Sequence, residues 1–117
     1  MKLRKKNEAE IIEFQNCHDG IGTVFCENML DDKDSEYGFQ WFHYDRLPSG
    51  TVIGEHLHTG SEEIYYLLEG SGTLYFNGEA LQMNAGDISL VGNGETHGFT
   101  NDSDSDVFML VIEIRPQ

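Results

Sequence analysis

The strongest constraint on this chain is punctuation. From residue 21 onward, short apolar runs of strand length are separated by clusters of Gly, Asn, Asp and Ser, with a repeat of roughly 8–12 residues. Runs this short cannot be helices of ordinary length, and no helical periodicity alternates with them, which excludes a parallel α/β arrangement. The spacing predicts strands at 21–27, 39–47, 51–58, 63–68, 72–77, 79–83, 87–91, 97–100 and 106–114. Asn77-Gly78, between Thr73-Leu74-Tyr75-Phe76 and Glu79-Ala80-Leu81, is a two-residue hairpin turn, because both residue types tolerate positive φ. The expected class is all-β, a sandwich or barrel. A length of 117 residues suits one such domain with a real core.

Residues 1–20 read differently, as an N-terminal arm ahead of a domain at 21–117. Asn7 and Glu10 have capping-box spacing, which predicts a short helical turn over Glu8–Phe14. Asp31-Asp32-Lys33-Asp34-Ser35-Glu36 is a charged loop, and Asn101-Asp102-Ser103-Asp104-Ser105-Asp106 is a solvated hairpin loop lacking the Gly and terminal Glu of an EF-hand. The last strand is apolar on both faces: Phe108, Leu110, Ile112 and Ile114 point one way, Val107, Met109 and Val111 the other. Such a strand needs cover on both sides, from a second sheet plus the arm or from a second copy, which predicts a homodimer.

The formal net charge is −14, from 21 acidic and 7 basic residues. A body this acidic is repelled by nucleic-acid backbones and anionic membranes, so neither is an expected partner. Lys2, Arg4, Lys5 and Lys6 form a basic tip that reads as a short solvated tail. Ile11-Ile12-Glu13-Phe14 is too short for a signal-peptide core, no run approaches membrane-spanning length, and a cytoplasmic location is expected. Cys17 and Cys26 then read as reduced thiols.

The chemistry lies in four residues. His56 and His58 are two apart on a strand and share a face. Thr59-Gly60-Ser61 turns the chain, and Glu63 opens the next antiparallel strand, which brings its carboxylate back toward the pair. His97 follows the turn Gly92-Asn93-Gly94, and a closed barrel can place it opposite. Three imidazoles and one carboxylate suit a divalent first-row ion (Mn, Fe, Co, Ni, Cu or Zn), with positions left open for water or a bidentate molecule.

The spacings Gly50-x5-His56-x-His58-x4-Glu63-x6-Gly70 and Gly86-x5-Gly92-x-Gly94-x2-His97-x3-Asn101, as GTVIGEHLHTGSEEIYYLLEG and GDISLVGNGETHGFTN, resemble the two signature motifs of the cupin superfamily. The resemblance spans residues 39–114. The 15 residues between Gly70 and Gly86 are similar to the short spacing of small single-domain microbial cupins. Gly92 departs, standing where the family has proline; this loosens a turn and touches no ligand. The resemblance implies a double-stranded β-helix (jelly-roll) barrel of two antiparallel sheets. It also implies one ion, Mn, Fe, Ni or Zn, ringed by His56, His58, Glu63 and His97.

Around that ion, Tyr65 shares the face of Glu63 and is the candidate catalytic or ligand-contacting group, or else a core aromatic. Phe99, on the face of His97, is expected to form pocket wall. Trp41 and His43 precede the first motif and are placed at the barrel mouth, His43 being read first as hydrogen-bonded structure. The sequence leaves His18 open, as a cap on the pocket or part of the arm. Glu55 and Glu62 point away by strand parity. Cupins include oxygenases, isomerases, lyases and non-catalytic binding proteins, so whether this one is an enzyme stays open. No Lys or Arg occurs between residues 47 and 114, which disfavours sugar phosphates. The expected ligand is a small neutral or metal-chelating oxygenated molecule, either transformed at the ion or, in a sensor module, simply bound.

Overall fold

The computed structural model describes residues 2–116. Ten strands run in chain order: β1 (Glu10–Gln15), β2 (Thr23–Asp31), β3 (Phe39–Leu47), β4 (Val52–Leu57), β5 (Glu62–Glu69), β6 (Ser71–Phe76), β7 (Glu79–Asn84), β8 (Ile88–Val91), β9 (Thr96–Thr100) and β10 (Val107–Ile114). They form two antiparallel sheets, β1-β2-β3-β10-β5-β8 and β4-β9-β6-β7, packed face to face as a jelly-roll barrel. Asn77 and Gly78 both have positive φ, and the β6–β7 hairpin turns on them.

Alternation along the strands fills the space between the sheets. Val107, Met109 and Val111 of β10 meet Tyr65 and Leu67 of β5, Leu47 of β3 and Ile53, Leu74 and Phe99 of the smaller sheet. Phe99 is fully buried and lies against Gly72: a Cβ there would sit 2.4 Å from its ring. On the outer face of the larger sheet the register aligns two apolar rows, Phe42-Ile112-Ile64-Leu90 and Tyr44-Leu110-Tyr66-Ile88, across β3, β10, β5 and β8.

The N-terminal segment departs from expectation. Lys6–Glu8 is a single 3-10 turn, and Glu10–Gln15 is a strand paired with β2, not a helix over Glu8–Phe14. A one-turn helix gains little against its nucleation cost, whereas an open sheet edge offers the same residues a full ladder. The basic tip is tied down as well: Arg4 donates to the Met29 carbonyl at 2.7 Å and to Asp34 at 3.1 Å, and Lys6 pairs with Glu27 at 2.6 Å. Between β1 and β2 the chain makes a tight strap, with positive φ at Asn16, His18 and Asp19. The strap is held to the start of β4 by reciprocal Ile21–Val52 backbone hydrogen bonds. Among the described residues, no helix is long and apolar enough to cross a membrane.

Candidate metal centre

Three strands deliver four donors to one point. His56 of β4 pairs directly with His97 of β9, past a register shift that follows Ile53. His58 lies just beyond β4, fixed by its N–H to the Glu95 carbonyl and by the Gly94 N–H to its own carbonyl. Glu63 faces inward from β5 in the opposite sheet. One ligand atom from each of the four lies within 4.8 Å of every other.

The individual contacts show what belongs between them. His97 Nε2 is 3.1 Å from His56 Nε2, 3.0 Å from His58 Nε2 and 3.1 Å from Glu63 Oε1, while His58 Nε2 is 3.5 Å from Glu63 Oε1. His56 Nδ1 lies 2.7 Å from the Gly54 carbonyl, which can only accept, so Nδ1 carries the proton and the neutral ring turns a lone pair inward. His58 Nδ1 meets Ser61 Oγ at 3.1 Å, and that hydroxyl donates onward to Glu113 Oε1 at 3.3 Å, so Nε2 of a neutral His58 is likewise a lone pair. One proton on His97 Nε2 cannot serve three acceptors; a divalent cation can. Donors about 2.1 Å from an ion are ~3.0 Å apart at adjacent octahedral corners and ~3.4 Å apart in a tetrahedron. The observed spacings of 3.0–3.5 Å fall in the range that four donors around one such ion would have.

Electrostatics point the same way. Burial pushes the Glu63 carboxyl up, but hydrogen bonds from His58 and His97 outweigh it and hold the group at about 2, ionised. Burial drives His56 down to about 4, only partly offset by the Gly54 carbonyl, so that ring is neutral at physiological pH. The hydrogen bond to Glu63 raises His58: a proton occupies this space in acid, and a cation competes with it.

Beside the centre is a cavity of about 510 Å³. Glu63 and Tyr65 form one wall, Trp41, His43 and Asp45 of β3 another, and the strap closes it with Cys17 and His18. Tyr65 stacks on His97 at 4.3 Å, and burial keeps its phenol protonated, far above the ordinary tyrosine range. His18 stacks on His56 at 3.5 Å, so the arm does reach the site. Phe99 is not part of the cavity wall: its ring fills the space that Gly72 leaves beneath the centre. Glu55 and Glu62 point to solvent. Among the described residues, no Lys or Arg lines the cavity.

Four contributors were not singled out from the sequence. Ser61 and Glu113 orient His58, and Arg115 in turn holds Glu113 at 3.0 Å. Asp45, 4% exposed, is pushed up to about 7 by burial despite a hydrogen bond from Cys26. Strand parity would have found Asp45, since it shares the face of His43. Glu113 was hidden in an otherwise apolar strand.

Comparison with known proteins agrees with this geometry. The family described as "Cupin domain" matches residues 43–113. The oxalate-binding protein of Thermotoga maritima is 32% identical over 110 residues, covering 94% of this chain and 91% of that one. A crystal structure from Thermotoga maritima, described as a predicted oxalate decarboxylase, superposes with a TM-score of 0.92 at 29% identity, over 97% of this chain and 99% of that one. KdgF from Halomonas sp. shares the fold at 13% identity, with a TM-score of 0.80 over 100% of this chain and 96% of that one. Motif, barrel and donor cluster converge on one assignment: the chain is a small single-domain member of the cupin family.

Proposed function

We propose that this cupin binds a small metal-chelating acid, of the dicarboxylate class that includes oxalate, on one divalent first-row ion (Mn, Fe, Ni or Zn) held by His56, His58, Glu63 and His97. The carrying observation is the combination of that donor spacing, which would suit one such ion, with a cavity whose described lining residues include no Lys or Arg. An acid entering such a cavity finds no fixed cation from the protein. The bound ion supplies the positive charge and a bidentate docking point. The chain's own residues do the rest. Gly54 and Ser61 fix the two imidazole tautomers, Tyr65 presents a protonated phenol beside His97, and Trp41, His43 and the strap limit water. The relative known as an oxalate-binding protein supports this reading.

The test is calorimetric titration of oxalate and longer dicarboxylates into metal-loaded, chelator-stripped and His58→Ala protein. Binding is expected only to loaded wild type, and His58→Ala loses one ion per chain. Equal binding by stripped protein would overturn the proposal. Turnover is the second reading, favoured by the structural relative described as a predicted oxalate decarboxylase and by the Tyr65 hydroxyl as a proton-bearing group at the site. Product analysis of the same mixtures separates it from binding alone.

The proposal includes a homodimer of cytoplasmic location. The two outer apolar rows support pairing, with Leu90 about half exposed and Ile88 64% exposed. Leu110→Glu is expected to convert a dimer to a monomer by light scattering; a wild-type monomer at micromolar concentration would refute the pairing.

A further inference from the structure

The cavity has a second convergence of donors, on the wall away from the first. Cys26 of β2 and Asp45 of β3 are direct cross-strand partners, and His43 is two residues from Asp45 on the same face. A ligand atom from each of the three lies within 4.8 Å of the others. Cys26 and Asp45 are 3% and 4% exposed, His43 is half-buried, and all three line the cavity. β10 alone separates β3 from β5, and the register sets His43 opposite Tyr65 and Asp45 opposite Leu67, so the backbone of these two residues is about two strand spacings, ~10 Å, across the sheet from that of Glu63 and also displaced along it.

One oxygen of Asp45 takes the Cys26 thiol hydrogen bond, but Oδ1 is buried with no hydrogen-bond partner at all. A buried carboxylate oxygen left bare is an exception that calls for a cause. No Lys or Arg among the described lining residues compensates it.

We infer that Cys26, His43 and Asp45 form a second divalent-cation site, distinct from the His56–His58–Glu63–His97 centre. Sulfur, nitrogen and oxygen donors together select a borderline ion of the Zn²⁺ type over Mg²⁺ or Ca²⁺. Bonds of roughly 2.3 Å to sulfur and 2.0–2.2 Å to nitrogen and oxygen put tetrahedral donors ~3.3–3.6 Å apart, inside the observed limit. A thiolate and a carboxylate together neutralise the ion, and loading displaces to solvent the thiol proton of Cys26 and, below about pH 7, the proton held by Asp45. Three protein donors leave a fourth position facing the cavity, as in open zinc sites.

The test uses full-length, chelator-stripped protein, with Co²⁺ as optical probe and Zn²⁺ for stoichiometry by equilibrium dialysis and elemental analysis. Wild type is expected to bind two ions per chain and to show thiolate-to-cobalt charge-transfer absorption in the near ultraviolet. His58→Ala is expected to keep one ion and the band, and Cys17→Ser to keep both ions and the band. Cys26→Ser keeps one ion and loses the band; if it fails to fold, Asp45→Asn, which retains the thiol, is expected to lose the same ion. One ion in wild type that His58→Ala abolishes would overturn the inference, as would a band that survives in Cys26→Ser. One ion that Cys26→Ser abolishes and His58→Ala retains would sustain this site and refute the first.

Discussion

Gly54→Ala tests whether the strap between β1 and β2 is a working part of the centre. A Cβ on Gly54 would lie 1.9 Å from the His18 carbonyl oxygen, 2.9 Å from its carbon and 3.2 Å from the Gly20 nitrogen. Ordinary contact begins near 3.4 Å, so the strap must retreat by about 1.5 Å. All three obstacles are backbone, and no rotamer change relieves them. The retreat breaks the 3.5 Å stack of His18 on His56 and pulls on the Ile21–Val52 hydrogen bonds. Overpacking of this kind costs about 1–3 kcal/mol, reduced by whatever strain Asn16, His18 and Asp19 shed on leaving positive φ. For a domain this size the melting temperature should fall by about 4–12 °C in calorimetry. The four metal donors remain, so the centre still loads. With the cover of His56 gone, metal affinity is expected to drop about tenfold, read as faster transfer to a chromophoric chelator. His18→Ala separates the causes: it should reproduce the faster release with little change in melting temperature. Unchanged stability and release in Gly54→Ala would mean that the strap yields freely, and the argument from close packing would fail.

Ser61→Ala leaves His58 Nδ1 with only Glu113, 3.7 Å away, and is expected to weaken metal binding about 10–100-fold by competition assay; an unchanged affinity would show that the hydroxyl does not orient the ring. Asp45 sets a pH dependence in metal-free protein. The folded state holds the Asp45 proton up to about pH 7, the unfolded chain releases it near 4, and between these limits the folded state binds more protons. Stability must therefore fall as pH rises across that window, by about 4 kcal/mol in all. The difference between wild type and Asp45→Asn in urea titrations from pH 4 to 8 isolates this contribution, and a flat difference would refute the burial argument.

Much of the fold was written in local signals. Alternating runs and the Asn77-Gly78 turn placed nine strands to within a few residues, because each strand buries one face and the pleat enforces period two. The four metal donors were legible because two histidines on one strand and a carboxylate across a short turn have few other geometries. β1 was not legible: its burial is slight, and its reason for being a strand is the free edge of β2, a non-local fact. Glu113 was opaque for the same reason. Its neighbours in sequence are apolar, and only the fold brings Ser61 and His58 beneath it. His18 was left open because a ring that reaches the centre from the arm requires positive φ at a non-glycine residue, which no sequence rule anticipates.

The relay from His58 through Ser61 and Glu113 to Arg115 has a practical corollary for protein engineering. The backbone of Arg115 is clamped against Gly38, where even a methyl group would not fit. A substitution at Gly38 or Arg115 would tug on a lever connected to the metal-binding residues, whereas the exposed pairs made by Lys2 and Lys6 contribute little and can be disturbed cheaply. Surface changes meant to leave the centre untouched belong at Lys2 or Lys6 and not at Arg115.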